Sequence, residues 1–204
     1  GAVRVDATDT GQAVQQMANW FGSTVPATLQ IIGPAAVDAN LAGTLERPRI
    51  SARVESNRLQ VNELQNINLA AAIEYTPEQV DLPQLNVNWE QESLTASGRI
   101  DLTKAKPTLD ARAEVPGASI HRILAALGKA DVPADGNVRV AAQLSGTIEN
   151  PEAQLTISAS DLQAYNEPFG TLSAEAHIAN QVVQLDKLSL NKLQDGQLQA
   201  TGRY

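Results

Sequence analysis

The sequence predicts a mainly β protein: two tandem antiparallel meanders of about six strands each, with two short amphipathic helices. Three observations carry this. Apolar and polar residues alternate with a period of two along much of the chain. The pattern recurs at a spacing of 103 residues. The apolar content, 43% of 204 residues, is almost all Ala, Val, Leu and Ile, and only 3% is aromatic. That composition suits a thin aliphatic layer, because the large rings that fill a thick core are scarce.

The repeat fixes the organisation. Gly43-Thr44-Leu45-Glu46-Arg47-Pro48 returns as Gly146-Thr147-Ile148-Glu149-Asn150-Pro151. The preceding strand, Val37, Ala39, Leu41, Gly43 and Leu45, aligns with Val140, Ala142, Leu144, Gly146 and Ile148. Val80, Leu82, Leu85 and Val87 align with Val183, Leu185, Leu188 and Leu190. The unit closes with Thr95-Ala96-Ser97-Gly98-Arg99-Ile100, answered by Gln199-Ala200-Thr201-Gly202-Arg203-Tyr204 after a drift of a residue. Two units follow, 1–102 and 103–204, joined as one continuous structure.

A helix is expected over 10–21, where Val14, Met17, Ala18 and Phe21 fall at i, i+3, i+4 and i+7. Asp9 with Gln12 reads as its capping box and Gly22 as its stop. A second is expected over 119–127 on Ile120, Ile123, Leu124 and Leu127, with Ser119 as N-cap and Gly128 as stop. Each stripe is two turns long, so neither helix is stable without docking on the sheet. Each unit thus reads as a helix followed by strands.

The strands alternate clearly. Ile50, Ala52 and Val54 interleave with Ser51, Arg53 and Glu55, and Ile67, Leu69, Ala71 and Ile73 with Asn68, Ala70, Ala72 and Glu74. Leu94, Ala96, Gly98, Ile100 and Leu102 follow the same rule. So do Ala153 to Ala159 and Leu172 to Ile178 at every second position. Turns are expected near Pro77, 104–107, 131–136, Asn180 and Asp195-Gly196. One apolar and one polar face imply a meander with one side in water. Two short helices cannot cover twelve strands, so the apolar face folds on itself as a sandwich or stays open as a trough.

Composition argues against an enzyme. There is no cysteine, and the two histidines, His121 and His177, have no second ligand at metal spacing. His121 lies opposite the helical stripe and His177 on the polar strand phase, so both read as solvated. A net charge of -8 disfavours nucleic acid. No uninterrupted apolar run approaches a membrane span. Asp131-Val132-Pro133-Ala134-Asp135-Gly136 resembles a calcium-loop opening but has Pro133 at a ligand position and Ala142 at the twelfth. Gly128-Lys129 lacks the rest of a phosphate loop, and no Gly-x-Ser-x-Gly occurs. The repeated Gly and Pro punctuation reads as backbone geometry, and Trp20 and Trp89 as local packing. No catalytic residue, metal or cofactor is expected.

The order of these motifs resembles the repeats of the TamB/AsmA-like proteins of Gram-negative envelopes. The likeness is strongest over 116–151, where a Gly-Ala-Ser-Ile-His-Arg-Ile-Leu helix leads through Pro-x-x-Gly-x-Val-x-Val to Gly-Thr-Ile-Glu-Asn-Pro. The resemblance implies a sheet curled into a U-shaped β-taco, or elongated groove, in the periplasm, within a protein anchored in the inner membrane outside these residues. Gly1 and the closure at Tyr204 read as the ends of a piece of such a protein. The resemblance implies a non-enzymatic role in passing phospholipid acyl chains between inner and outer membranes. Its alternative is a scaffold or chaperone-like module assisting outer-membrane protein assembly with a β-barrel partner. A sealed repeat without ligand is the third reading. The residues expected to face a lipid groove are Ile67, Leu69, Ile73, Val80, Leu82, Leu85 and Val87, with Leu172, Ile178, Val183, Leu185, Leu188 and Leu190.

Twelve strands at ~4.8 Å spacing extend on the order of 50 Å before twist. Small-angle scattering is expected to give an elongated particle; a profile fitting a compact sphere of this mass would refute the tandem sheet.

Overall fold

The computed structural model describes residues 1–8, 10–12, 14–15, 30–180, 182–192 and 196–204. Among these, thirteen strands form one antiparallel sheet. They are β1 (Ala2–Ala7), β2 (Ile31–Ile32), β3 (Ala35–Gly43), β4 (Pro48–Val61), β5 (Leu64–Tyr75), β6 (Gln79–Trp89) and β7 (Glu92–Asp101). The series continues as β8 (Thr108–Ser119), β9 (Ala134–Gly146), β10 (Pro151–Ala164), β11 (Glu167–Ala179), β12 (Val182–Lys192) and β13 (Gly196–Arg203). The order is β1-β3-β4 and then sequential to β13, with β2 pairing β4 off this path. The sheet does not close on itself: β1 and β13 each have one neighbour.

The meander follows from local chemistry. Two-residue turns join Val61 to Leu64, Trp89 to Glu92 and Ala164 to Glu167. Asn62, Glu90, Tyr165 and Asn166 there adopt positive φ, the conformation whose twist matches that of the flanking strands. The repeated motif makes two equivalent turns in which Gly43 pairs with Pro48 and Gly146 with Pro151. Both glycines have positive φ, +83° and +91°. The hydroxyls of Thr44 and Thr147 each accept from the backbone N–H three residues on, at 3.1 Å.

Pairing repeats at the 103-residue spacing down to its irregularities. The bulge between Ser56 and Leu59 against β5 is answered by that between Ala159 and Leu162 against β11. The bulge at Pro83 is answered by one at Asp186. Each bulge adds a residue, bends its strand and increases twist, so the sheet curls. The one-residue drift has a definite origin: two residues separate Trp89 from its partner Glu92, but three separate Lys192 from Gly196.

The structure amends several expectations. A strand precedes each helix: β1 and β8 hold equivalent places, since position 5 pairs with Val37 as Val115 pairs with Val140. Leu45 and Ile148 lie in turns, not strands, because the positive-φ glycine before each ends the strand; they are 104% and 52% exposed. Asp135 and Gly136 belong to β9, and only 130–132 turns. Gly136 is needed for close approach: a Cβ there would lie 2.9 Å from the Ser160 carbonyl and 3.3 Å from Ile120 Cδ1 of the docked helix. Gly196 opens β13, and Asp195 lies outside the described residues.

The second helix spans Ile120–Ala126, with Ser119 Oγ accepting from Arg122 N at 3.4 Å. Gly128 follows its C-cap, Leu127, at φ +68°. It rests on β8 and β9. Arg122 donates to Glu92 Oε1 at 2.7 Å and Gln91 Oε1 at 2.9 Å, and Ser119 N donates to Glu92 at 3.3 Å. This ties the second unit's helix to the first unit's β6–β7 hairpin. In the first unit, residues 10–12, 14 and 15 are helical, and Thr10 donates through N and Oγ1 to the Gly33 carbonyl. Asp9, Met17, Ala18, Trp20, Phe21 and Gly22 lie outside the described residues.

The two units meet without interruption where β7 pairs β8 through seven positions, Thr95↔Glu114 to Asp101↔Thr108. The tightest point is Gly98: a Cβ would lie 2.6 Å from Ala111 Cβ. Gly98→Val is expected to cost about 1–3 kcal/mol through overpacking, read as a lower midpoint in urea unfolding at unchanged slope.

Candidate functional site: an uncovered aliphatic face

Paired residues of neighbouring strands share a face, so the register assigns every strand residue to one side. One side is aliphatic from edge to edge. A single row crosses the whole sheet: Val37, Val54, Ala71, Leu85, Ala96, Ala113, Ala142, Leu155, Ala176, Leu185 and Gly202, each paired to the next, with position 5 of β1 ahead of Val37. No polar residue interrupts it. Six of the eleven are Ala or Gly, so the row forms a low floor between taller neighbours.

Those neighbours include eleven of the thirteen residues that the sequence points to. Leu69 pairs Val87, Ile67 pairs Trp89, and Val80 pairs both Tyr75 and Ile100. Leu172 pairs Leu190, Ile178 pairs Val183, and Leu188 pairs both Ala174 and Ala200. Leu82 lies opposite Gly98, and Ile73 opposite Ala52. Leu85 and Leu185 stand in the floor row itself. All thirteen are on the one face, on β5, β6, β11 and β12. The choice omitted the residues joining the two clusters: Ala96, Leu109, Ala111, Ala113, Val138, Val140, Ala142, Leu144, Leu155 and Ile157. The alternation of 94–102 and 153–159 carried the signal for part of this set. Ala111 and Ala113 lay in a segment whose alternation was not read as a strand.

The face has no second layer among the described residues. Among the described residues only Ala35, Leu59, Ile67, Ala118 and Ala159 are buried apolar residues, and no large side chain is fully buried. The total accessible area is 13930 Å² for 21.7 kDa, against roughly 9,200 Å² for a compact globule of that mass. Ten of the thirteen chosen residues are half-buried, as side chains flanked within one sheet but uncovered above it are.

The two long rims differ. Alternate turns fall on alternate rims in a meander, so the helical residues, the turns at 62–63, 90–91 and 165–166, and most bulges share one rim. The turns at 44–47, 76–78, 102–107 and 147–150 share the other. Shelter follows this division: within β5, Ile67 near the helix rim is 5% exposed and Ile73 near the far rim is 36%. The aliphatic face is therefore more sheltered along the helix rim than along the other.

The opposite side is polar. Arg99 Nε meets Asp81 at 2.5 Å, and the hydrogen bond and charge of Asp81 raise the Arg99 pKa. Arg112 donates to Ser97 at 3.0 Å. Asp101 accepts from the Thr103 hydroxyl and backbone N–H, which lowers its pKa. A depression of about 780 Å³ lies on this side among Glu74, Asp81, Arg99, Asp110 and Arg112. It is open and polar, and offers nothing to an apolar chain. His177 is on this side and His121 is exposed on the helix. Among the described residues no cluster of three His, Asp or Glu side chains could hold a metal, and no helix is long and apolar enough to cross a membrane.

Fold and site together define a class: an antiparallel meander sheet that does not close, with a continuous aliphatic face on one side of its described residues. Compared with family models, curated proteins and solved structures, the chain matches none. The TamB/AsmA-like resemblance thus stands on the repeat motifs alone.

If the trough is open, a charge placed on it reaches water by snorkelling. Leu85→Arg and Leu188→Arg are expected to keep the β-sheet circular dichroism and to melt within about 4 °C of the parent protein. A buried unpaired charge would instead cost several kcal/mol, so loss of the folded signal in both variants would mean a sealed core.

Proposed function

We propose that this chain is a non-enzymatic, periplasmic segment of an envelope protein whose trough carries phospholipid acyl chains between the inner and outer membranes. The observation that supports it is the unbroken aliphatic row crossing every strand of the main path, with no layer above it among the described residues. A methylene moved from water to an apolar setting gains about 0.8 kcal/mol, and a chain lying on one open face realises only part of that. Ala, Val, Leu and Ile offer no directional donor, so the chain is held weakly and uniformly along the trough. In this reading the phospholipid head group lies in water at the less sheltered far rim, with the acyl chains toward the helix rim.

The free edges of β1 and β13 favour a second reading, a scaffold that pairs with strands of a β-barrel client during outer-membrane assembly. Its signature is binding of an extended peptide that is indifferent to the trough.

The test is binding of a fluorescent long-chain fatty acid to the purified protein, alongside mass spectrometry of lipids carried through purification. The parent protein is expected to bind, and the folded Leu85→Arg and Leu188→Arg variants to bind at least about tenfold more weakly, a difference of ~1.4 kcal/mol. Arg53→Leu, on the polar side, is expected to bind as the parent does. Equal binding by the trough variants would remove the acyl-chain reading.

A further inference from the structure

We propose that the sheet adds a second copy of this chain head to tail, β13 of one molecule pairing antiparallel with β1 of the next in the register that β7 uses with β8. The inference rests on the repeat geometry and not on the acyl-chain reading.

The two free edges are the two halves of a junction the molecule already contains. β13 is the counterpart of β7: Leu82↔Gly98 recurs as Leu185↔Gly202, and Leu85↔Ala96 as Leu188↔Ala200. β1 is the counterpart of β8: Val3↔Ala39 recurs as Ala113↔Ala142. Internally Ala96 pairs Ala113 and Thr95 pairs Glu114. Carrying that register to the free edges sets Ala200 opposite Val3, Gln199 opposite Arg4 and Gly202 opposite Gly1. Hydrogen-bond parity is inherited, since both strands keep the phase of their counterparts.

Two further observations point the same way. Gly98 is small because Ala111 of β8 crowds it, whereas a Cβ on Gly202 would meet nothing within 4 Å. Gly202 has no positive φ to require glycine, and glycine weakens a strand interior. In this register Gly202 lies opposite Gly1, so the two strands approach there with no side chain on either. The edges also leave aliphatic surface in water: Val3 is 49% exposed and Leu198 55%. Neither edge strand carries proline or lysine, the usual devices that discourage pairing. The contact is heterologous and leaves one free edge at each end, so each addition lengthens the sheet until its rotation closes a ring.

The experiment pairs Arg4→Cys with Gln199→Cys, both exposed on the polar side, in the full 204-residue chain under mild oxidation. The proposal predicts a ladder of dimers, trimers and longer species on non-reducing gels. Arg4→Cys with Gln197→Cys, displaced by two residues and ~7 Å, is expected to give at least about tenfold less, because a disulfide needs Cα atoms within ~7 Å. Sedimentation of the cysteine-free protein is expected to show a weight-average mass rising with concentration. Equal yields from both pairs, dimers that stop at two from either single cysteine variant, or no ladder from a strictly monomeric protein would each overturn it.

Discussion

Side-chain phase is the constraint on which the rest depends. A strand residue faces the side opposite its neighbour's, so a slip of one position would exchange the aliphatic and polar sides of a whole strand. Twelve strands must therefore agree. They do so although several are not regular: β4 presents Ile50, Ala52, Val54 and Ser56 and then, past its bulge, Leu59. The inserted residue changes the parity of the sequence while preserving the side. The spacing of Val80, Leu82, Leu85 and Val87, by two, three and two, is the same device in β6.

A single layer has an energetic consequence. The few buried residues gather toward the helix rim, where Ile67, Leu59 and Ala118 sit beneath bends and the docked helix. Elsewhere each aliphatic side chain loses only the water displaced by its neighbours in the sheet. Stability therefore comes from many partial burials and a nearly unbroken backbone ladder. The Arg122–Glu92 link between the second helix and the first unit's hairpin is a local anchor at the seam. Such an object resembles a repeat array, in which each part depends mainly on adjacent parts.

Much of this was legible in the sequence because phase and punctuation are local. Alternation gave the strands, Gly-Thr and Pro gave the turns, and Ser119 with Gly128 bounded a helix. The 103-residue shift placed equivalent residues of the two units in equivalent environments. The strands before the helices were less visible: β8 runs through Pro116 and Gly117, at a bulge, where pattern suggests a break. The low floor of that face was less visible, although alternation set the phase of Ala71, Ala96 and Ala176. Ala71, Ala96, Ala113, Ala142 and Ala176 matter because they are low beside Leu and Val, a property of neighbours across the sheet that no single strand reveals. Whether the face was covered was open too, because an alternating strand reads alike under a second layer and without one.

The fidelity of the repeat shapes what a guest on this surface experiences. Advancing by one unit, six strands or roughly 29 Å at ~4.8 Å per strand, returns it to the same neighbours: Leu85 between Ala71 and Ala96 becomes Leu188 between Ala174 and Ala200. The potential along the trough is thus periodic and nearly level, with no progressive gradient built into the wall. Such a surface permits diffusion both ways with equal ease. If acyl chains are carried as proposed, the direction of net flow is set by what loads and unloads its two ends.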